Sequence, residues 1–154
     1  MLQKLRFFVF ALLLGSRSFG MGNPGDWLLS GGFGLTFSPT AVLLMPQMEY
    51  VYQNNVYLGP LFQVAPGDAN TIFMMSASAR VVLGNHPRIK PNVDGGLGLA
   101  VIGNQPGILI HVGMGVDYLI DRGISVGTVI TANFAPPADP FILSWPLVVG
   151  RFVL

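Results

Sequence analysis

Glu49, Arg80, Asp94, His111, Asp117 and Arg151 are the residues of this chain whose types and spacing could do chemistry. They stand among glycines, serines and apolar residues, in a chain of 154 residues with only eight Lys and Arg, seven Asp and Glu and two His. Two carboxylates side by side repel, so Asp94 and Asp117 need a cation, and Arg80 can bridge them bidentately. Arg151 can do the same for Glu49, past the small Ser30. A desolvated charge left without a partner costs several kcal/mol. Such a cluster reads as a structural plug or as a gate or ion site in a narrow lumen. His111 raises the question of catalysis, which needs a nucleophile or activated water with a base in hydrogen-bond reach. Asp117 shares its face, but six residues of strand put it about 20 Å away. Ser76 and Ser78 lie on another segment, with no acid expected nearby. His111 is therefore read as a satisfied interior polar residue and His86 as a solvated turn residue. No residue is assigned a catalytic role.

Composition narrows the setting in which that cluster must work. The chain is 51% hydrophobic and 10% charged, with 20 Gly, 12 Pro and no Cys. Soluble domains carry about 25% charged residues. No basic run exists, which argues against a nucleic-acid partner. The absence of Cys excludes disulfides, a Cys-ligated zinc site, a thiol nucleophile and a lipobox anchor. Gly31-Gly32-Phe33-Gly34 and Gly95-Gly96-Leu97-Gly98 lead into no helical pattern, so neither makes a phosphate cradle. The seven Met are spread as wall residues and form no metal-binding run. No cofactor and no metal are expected.

Residues 1–20 separate by composition. Lys4 and Arg6 precede the apolar run 7–14, and a small-residue tail ends in Ser18-Phe19-Gly20. That is the layout of a cleavable signal peptide, with processing before Met21. Eight apolar residues span about 12 Å as helix, far short of a bilayer core of roughly 30 Å. Cleavage removes Lys4, Arg6 and Arg17 and leaves five basic and seven acidic residues, so the mature domain, 21–154, is slightly acidic.

The elements that must position the cluster are strands. Period-two alternation recurs in eight blocks, at 27–37, 42–52, 56–65, 71–83, 91–102, 108–120, 124–134 and 142–154, separated by Gly, Pro, Asn and Asp turns. In the seventh, Ile124, Val126, Thr128, Ile130, Ala132 and Phe134 oppose Ser125, Gly127, Val129, Thr131 and Asn133. One face is large and apolar; the other is small or polar, and too uncharged to be a solvated exterior. The pattern predicts an all-β fold, an eight-stranded antiparallel up-and-down transmembrane β-barrel preceded by the signal peptide. Its interior is just wide enough for side chains to fill, and its outer wall meets lipid. Closure satisfies every backbone N–H and C=O within the hydrocarbon.

With the N-terminus on the periplasmic side, outward aromatics collect in two girdles. Trp27, Tyr50, Tyr52, Tyr118 and Phe152 mark the lower one, Phe37, Phe62, Phe73 and Phe134 the upper. Block eight breaks the pattern: regular alternation turns Trp145 inward and Pro146 to lipid, so a bulge near Pro146 is expected to return Trp145 outside.

On strand count, alternation and girdles, the mature region resembles the small eight-stranded outer-membrane barrels of the OmpA/OmpX type. The resemblance implies insertion by the barrel-assembly machinery, contact with outer-membrane lipids and a monomer. Barrels of that type usually end on an aromatic residue; here it is displaced to Phe152, before Val153-Leu154.

Centring the turns gives an expected register. It places Arg80 opposite Asp94, Asp94 within a residue of Asp117, Glu49 opposite both Gly59 and Ser30, and Arg151 opposite Ser125. All five permanent charges then fall in the lower half. Inward glycines (Gly32, Gly34, Gly59, Gly96, Gly98, Gly113, Gly115, Gly127) either leave room for water or permit tight strand curvature. The expected upper loops, 38–41, 66–70, 103–107 and 135–141, are short and carry only Asp68 and Asp139, too little surface for adhesion. The reading is an outer-membrane barrel with an envelope role and a plugged lumen. A narrow channel, a lipid-modifying enzyme and a soluble lipocalin-like periplasmic barrel are the alternatives.

Overall fold

The computed structural model describes residues 21–67 and 71–154; the expected signal peptide lies outside them. Eight strands follow in chain order: β1 (Trp27–Phe37), β2 (Ala41–Gln53), β3 (Val56–Ala65), β4 (Ile72–Val82), β5 (Ile89–Ile102), β6 (Gln105–Asp121), β7 (Ile124–Ala135) and β8 (Asp139–Val153). Each pairs antiparallel with its neighbours and β8 pairs with β1, closing the barrel. Closure leaves no unpaired edge. The end carrying Trp27 and the C-terminus is called the lower end.

Alternation is realised as burial. β4 reads buried and exposed in strict turn from Ile72 to Ala79, with Ser76, Ser78 and Arg80 pointing inward. Wall residues such as Leu97, Ile108, Val112 and Met114 lie more than half exposed. In the band between the aromatic ends, Thr128 is the one polar outward side chain among the described residues. It is not left bare: its hydroxyl donates to Pro146 O at 2.9 Å and accepts from Trp145 Nε1 at 3.0 Å.

That pair marks the irregularity in β8. Phe33 faces Val148 but Gly34 faces Pro146, so one residue is extra on β8. The β7 ladder slips by the same one residue between Gly127–Val149 and Thr131–Ser144. The bulge puts Ser144 inside and Trp145 outside.

The inward glycines leave less room than an empty lumen would need. A Cβ built on Gly59 would lie 1.8 Å from Met48 O, and one on Gly98 would lie 1.9 Å from Met75 O. At these points a neighbouring strand crosses the position a side chain would take, so glycine serves close backbone approach. Gly59→Ala is expected to cost about 1–3 kcal/mol, the usual penalty of overpacking. Urea unfolding in detergent micelles measures it, and an unchanged midpoint would show that the wall yields freely at β3.

Side chains fill the interior in layers. The lower end is closed by Met21, Leu28, Val51, Tyr57 and Val82. Met21 is held there by Tyr57, whose hydroxyl accepts from Met21 N at 2.9 Å and donates to Met21 O at 3.1 Å. The upper end is closed by a larger apolar layer that includes Leu43, Ile72, Met74, Leu109 and Ile142. Met45, Leu61, Val129 and Val149 fill part of the middle.

Candidate functional site

Between the lower and middle layers, four strands each send one charged side chain to the barrel axis: Glu49 from β2, Arg80 from β4, Asp117 from β6 and Arg151 from β8. They are alternate strands, so signs alternate around the axis and like charges come from opposite walls. Layering by alternate strands is how small barrels fill without clashes. All four side chains are at most 5% exposed.

The geometry is a closed ring of ion pairs. Arg80 grips Glu49 bidentately, Nε to Oε1 and Nη2 to Oε2, both at 2.8 Å. Its Nη1 reaches Asp117 Oδ2 at 3.4 Å. Arg151 Nη1 donates to Asp117 Oδ1, and Arg151 Nε stands 3.8 Å from Glu49 Oε2. Asn92 Nδ2 adds a bond to Asp117 Oδ2 at 2.9 Å. The Arg80 guanidinium also lies 4.2 Å over the Tyr57 ring, a cation–π contact that joins the ring to the lower lid.

The expected contacts of Arg80 with Asp117 and of Arg151 with Glu49 are both present, but the expected Arg80–Asp94 pair is not. Arg80 is opposite Asp94 in the ladder, as the hairpin predicts, yet its guanidinium turns the other way, past β3, to Glu49 on β2. Asp94 does not sit beside Asp117: it pairs with Gly113, and Asp117 pairs with Lys90. The cause is the β5–β6 turn, which spans only Gly103-Asn104 because Ile102 faces Gln105. A five-residue loop had set the register three residues away. Likewise Glu49 faces Leu28 and Ser30 faces Gln47, since Thr36 pairs directly with Ala41. Arg151 does face Ser125, and also Ser30.

Lys90 is the inward charge that sequence reasoning left in a turn. It lies on β5, 4% exposed, and its Nζ has no hydrogen-bond partner. Its parity with Asn92 and Asp94 was the available signal; Pro91, read as the strand start, concealed it. With Lys90 the inward charges number three acids and three bases.

His111 is 1% exposed, and neither ring nitrogen has a partner. Its ring lies over Gly96, where a Cβ would be 2.5 Å from His111 Cε1, and the Asp94 carboxylate lies over Gly113 in the same way. These are successive inward pairs of the β5–β6 ladder, so an acid stands closer to His111 than the expected register allowed. Ser78, His111 and Gly96 share one row across β4, β6 and β5. Above them a second bridge crosses the lumen from β3 to β7, Gln63 Nε2 to Asn133 Oδ1 at 3.0 Å, and Asn133 Nδ2 donates onward to Ser144 Oγ at 2.9 Å. Among the described residues no group of three or more His, Cys, Asp or Glu could hold a metal ion.

At the lower rim Trp27 and Tyr50 pack with ring centroids 5.3 Å apart, and Tyr52, Tyr118 and Phe152 are exposed around them. At the upper rim Phe134 packs edge-on against Phe141 at 5.5 Å, with Phe73 exposed and Phe37 and Phe62 half-buried.

No family model matches the chain, and no curated protein matches it in sequence. Its architecture does have counterparts among solved structures. The N-terminal β-barrel domain of Pseudomonas aeruginosa OprF superposes with a TM-score of 0.71 at 13% identity, over 86% of this chain and 100% of that one. The fold is that of the small eight-stranded transmembrane barrels. Neisserial surface protein A superposes at 0.67 with 14% identity, covering 82% of this chain and 95% of its own. A de novo designed transmembrane β-barrel superposes at 0.60 with 12% identity, covering 87% and 99%. The barrel thus keeps its shape at 12–14% sequence identity.

Proposed function

We propose that this chain is an outer-membrane β-barrel protein with a structural role in the cell envelope and a closed, non-conducting lumen. The observation that carries the reading is the filled interior. Apolar layers close both ends, and the Glu49–Arg80–Asp117–Arg151 ring and the Gln63–Asn133 bridge cross the space between them. The uncharged wall and the aromatic rims support placement in a bilayer. The outer membrane fits this setting because a signal peptide would export the chain and the barrel-assembly machinery would insert it. A closed barrel offers no free edge strand for a second copy to pair with, which supports a monomer.

The test is reconstitution of purified, folded protein into planar lipid bilayers under a swept voltage. The reading expects a silent membrane. Discrete, reproducible current steps would instead establish the channel reading.

A further inference from the structure

The layer that closes the lower end is built mostly by the barrel itself. Leu28 comes from β1, Val51 from β2, Tyr57 from β3 and Val82 from β4, with Leu119 of β6 and Val153 of β8 packed against them. Met21 is the exception. It is carried by residues 21–26, which precede β1 and belong to no strand. Gly22 and Gly25 give that segment its turns, at φ of 80° and 101°, where other side chains are strained. Asn23, Pro24 and Gly25 are exposed, yet Met21 at the tip is only 6% exposed.

Few contacts hold the segment. At its root Gly25 N donates to Val51 O and Val51 N donates to Asp26 O, both at 2.9 Å. At its tip the Tyr57 hydroxyl accepts from Met21 N at 2.9 Å and donates to Met21 O at 3.1 Å. A segment anchored by so little opens locally at far lower cost than the barrel unfolds. Met21 lines a small cavity of about 10 Å³ together with Lys90, Arg80, Asp117 and Arg151. Lys90 Nζ has no hydrogen-bond partner and no contact with solvent. Withdrawal of Met21 would let water reach that amine, which offsets part of the opening cost.

We propose that residues 21–26 are a displaceable strap that governs solvent access to Lys90 and the charge ring from the lower side. The proposal goes beyond the closed-lumen reading and is independent of it. The upper apolar layer and the Gln63–Asn133 bridge stay in place whether the strap is in or out, so no continuous path opens.

Lys90 is the only lysine among the described residues, so its reactivity reports on the strap. The purified full chain, folded in detergent micelles, is treated with N-hydroxysuccinimidyl acetate, and acetylation of Lys90 is followed by peptide mass mapping. Tyr57→Phe keeps the ring over Arg80 but removes both bonds to Met21. Its Lys90 should be acetylated about 10- to 100-fold faster than in the wild type, the range for two lost hydrogen bonds. An unchanged rate would overturn the proposal. Should Tyr57→Phe fail to fold, the wild type in rising urea decides alone. Acetylation of Lys90 is expected while the unboiled protein still runs as a folded band on gels. Acetylation only where the barrel unfolds would make Met21 a fixed part of the core and overturn the strap.

Discussion

Arg80→Met is expected to remove about 3–5 kcal/mol of folding free energy, the cost of breaking a buried ion pair from one side. The substitution preserves bulk and loses only the guanidinium. Glu49 then loses two bonds of 2.8 Å and keeps only the 3.8 Å approach of Arg151 Nε, while Asp117 loses one arm of its support. Tyr57 loses its cation as well, which loosens the lid that holds Met21. Replacing all four ring members together by apolar residues of similar volume should cost far less, since no charge is then stranded. Urea unfolding followed by circular dichroism in micelles measures both. A loss under about 1 kcal/mol for Arg80→Met would mean that water reaches the ring and solvates Glu49, contrary to a sealed interior.

Val112→Arg is the second large effect, and it acts on the opposite face. Val112 is 58% exposed near the middle of β6, where a lipid-facing side chain would meet the centre of the bilayer. Arginine there costs about 2–4 kcal/mol in a lipid-embedded barrel, falling to about 0–1 near the interface. Ile120→Arg, at the lower end of the same strand and equally exposed, supplies the comparison. Folding into lipid vesicles should show a clear gap between the two variants. Equal, small effects would describe a barrel whose wall faces water, as the lipocalin-like alternative requires.

The parts of the fold that were legible in the sequence are those that depend on parity. A residue on β6 faces in or out according to whether its number is odd or even, so Asp117 and His111 could be placed inside without knowing which strand lies beside them. The bulge at Pro146 was legible for the same reason, because Ser144 and Trp145 would otherwise be on the wrong sides. Register depends instead on turn length, and there a local signal was outweighed. Gly103-Asn104 is a two-residue hairpin turn, with Gly103 at a φ of 60° in its first position. Pro106, two residues further on, read as loop; it sits in β6 on the outward face, opposite Val101. The shift separated Asp94 from Asp117 and set Asp94 beside His111. Which arginine takes which acid was beyond any pairing rule, because Arg80 and Glu49 lie on β4 and β2, which are not paired strands, and meet inside the lumen past β3.

Heat-modifiable gel mobility of membrane fractions reports compartment and closed barrel together. The protein is expected to sediment with outer membranes. Unboiled in detergent it should run as a compact, fast-migrating band, and boiling should convert that band to a slower one. Recovery in the detergent-free periplasmic fraction, with a mobility that boiling leaves unchanged, would contradict it.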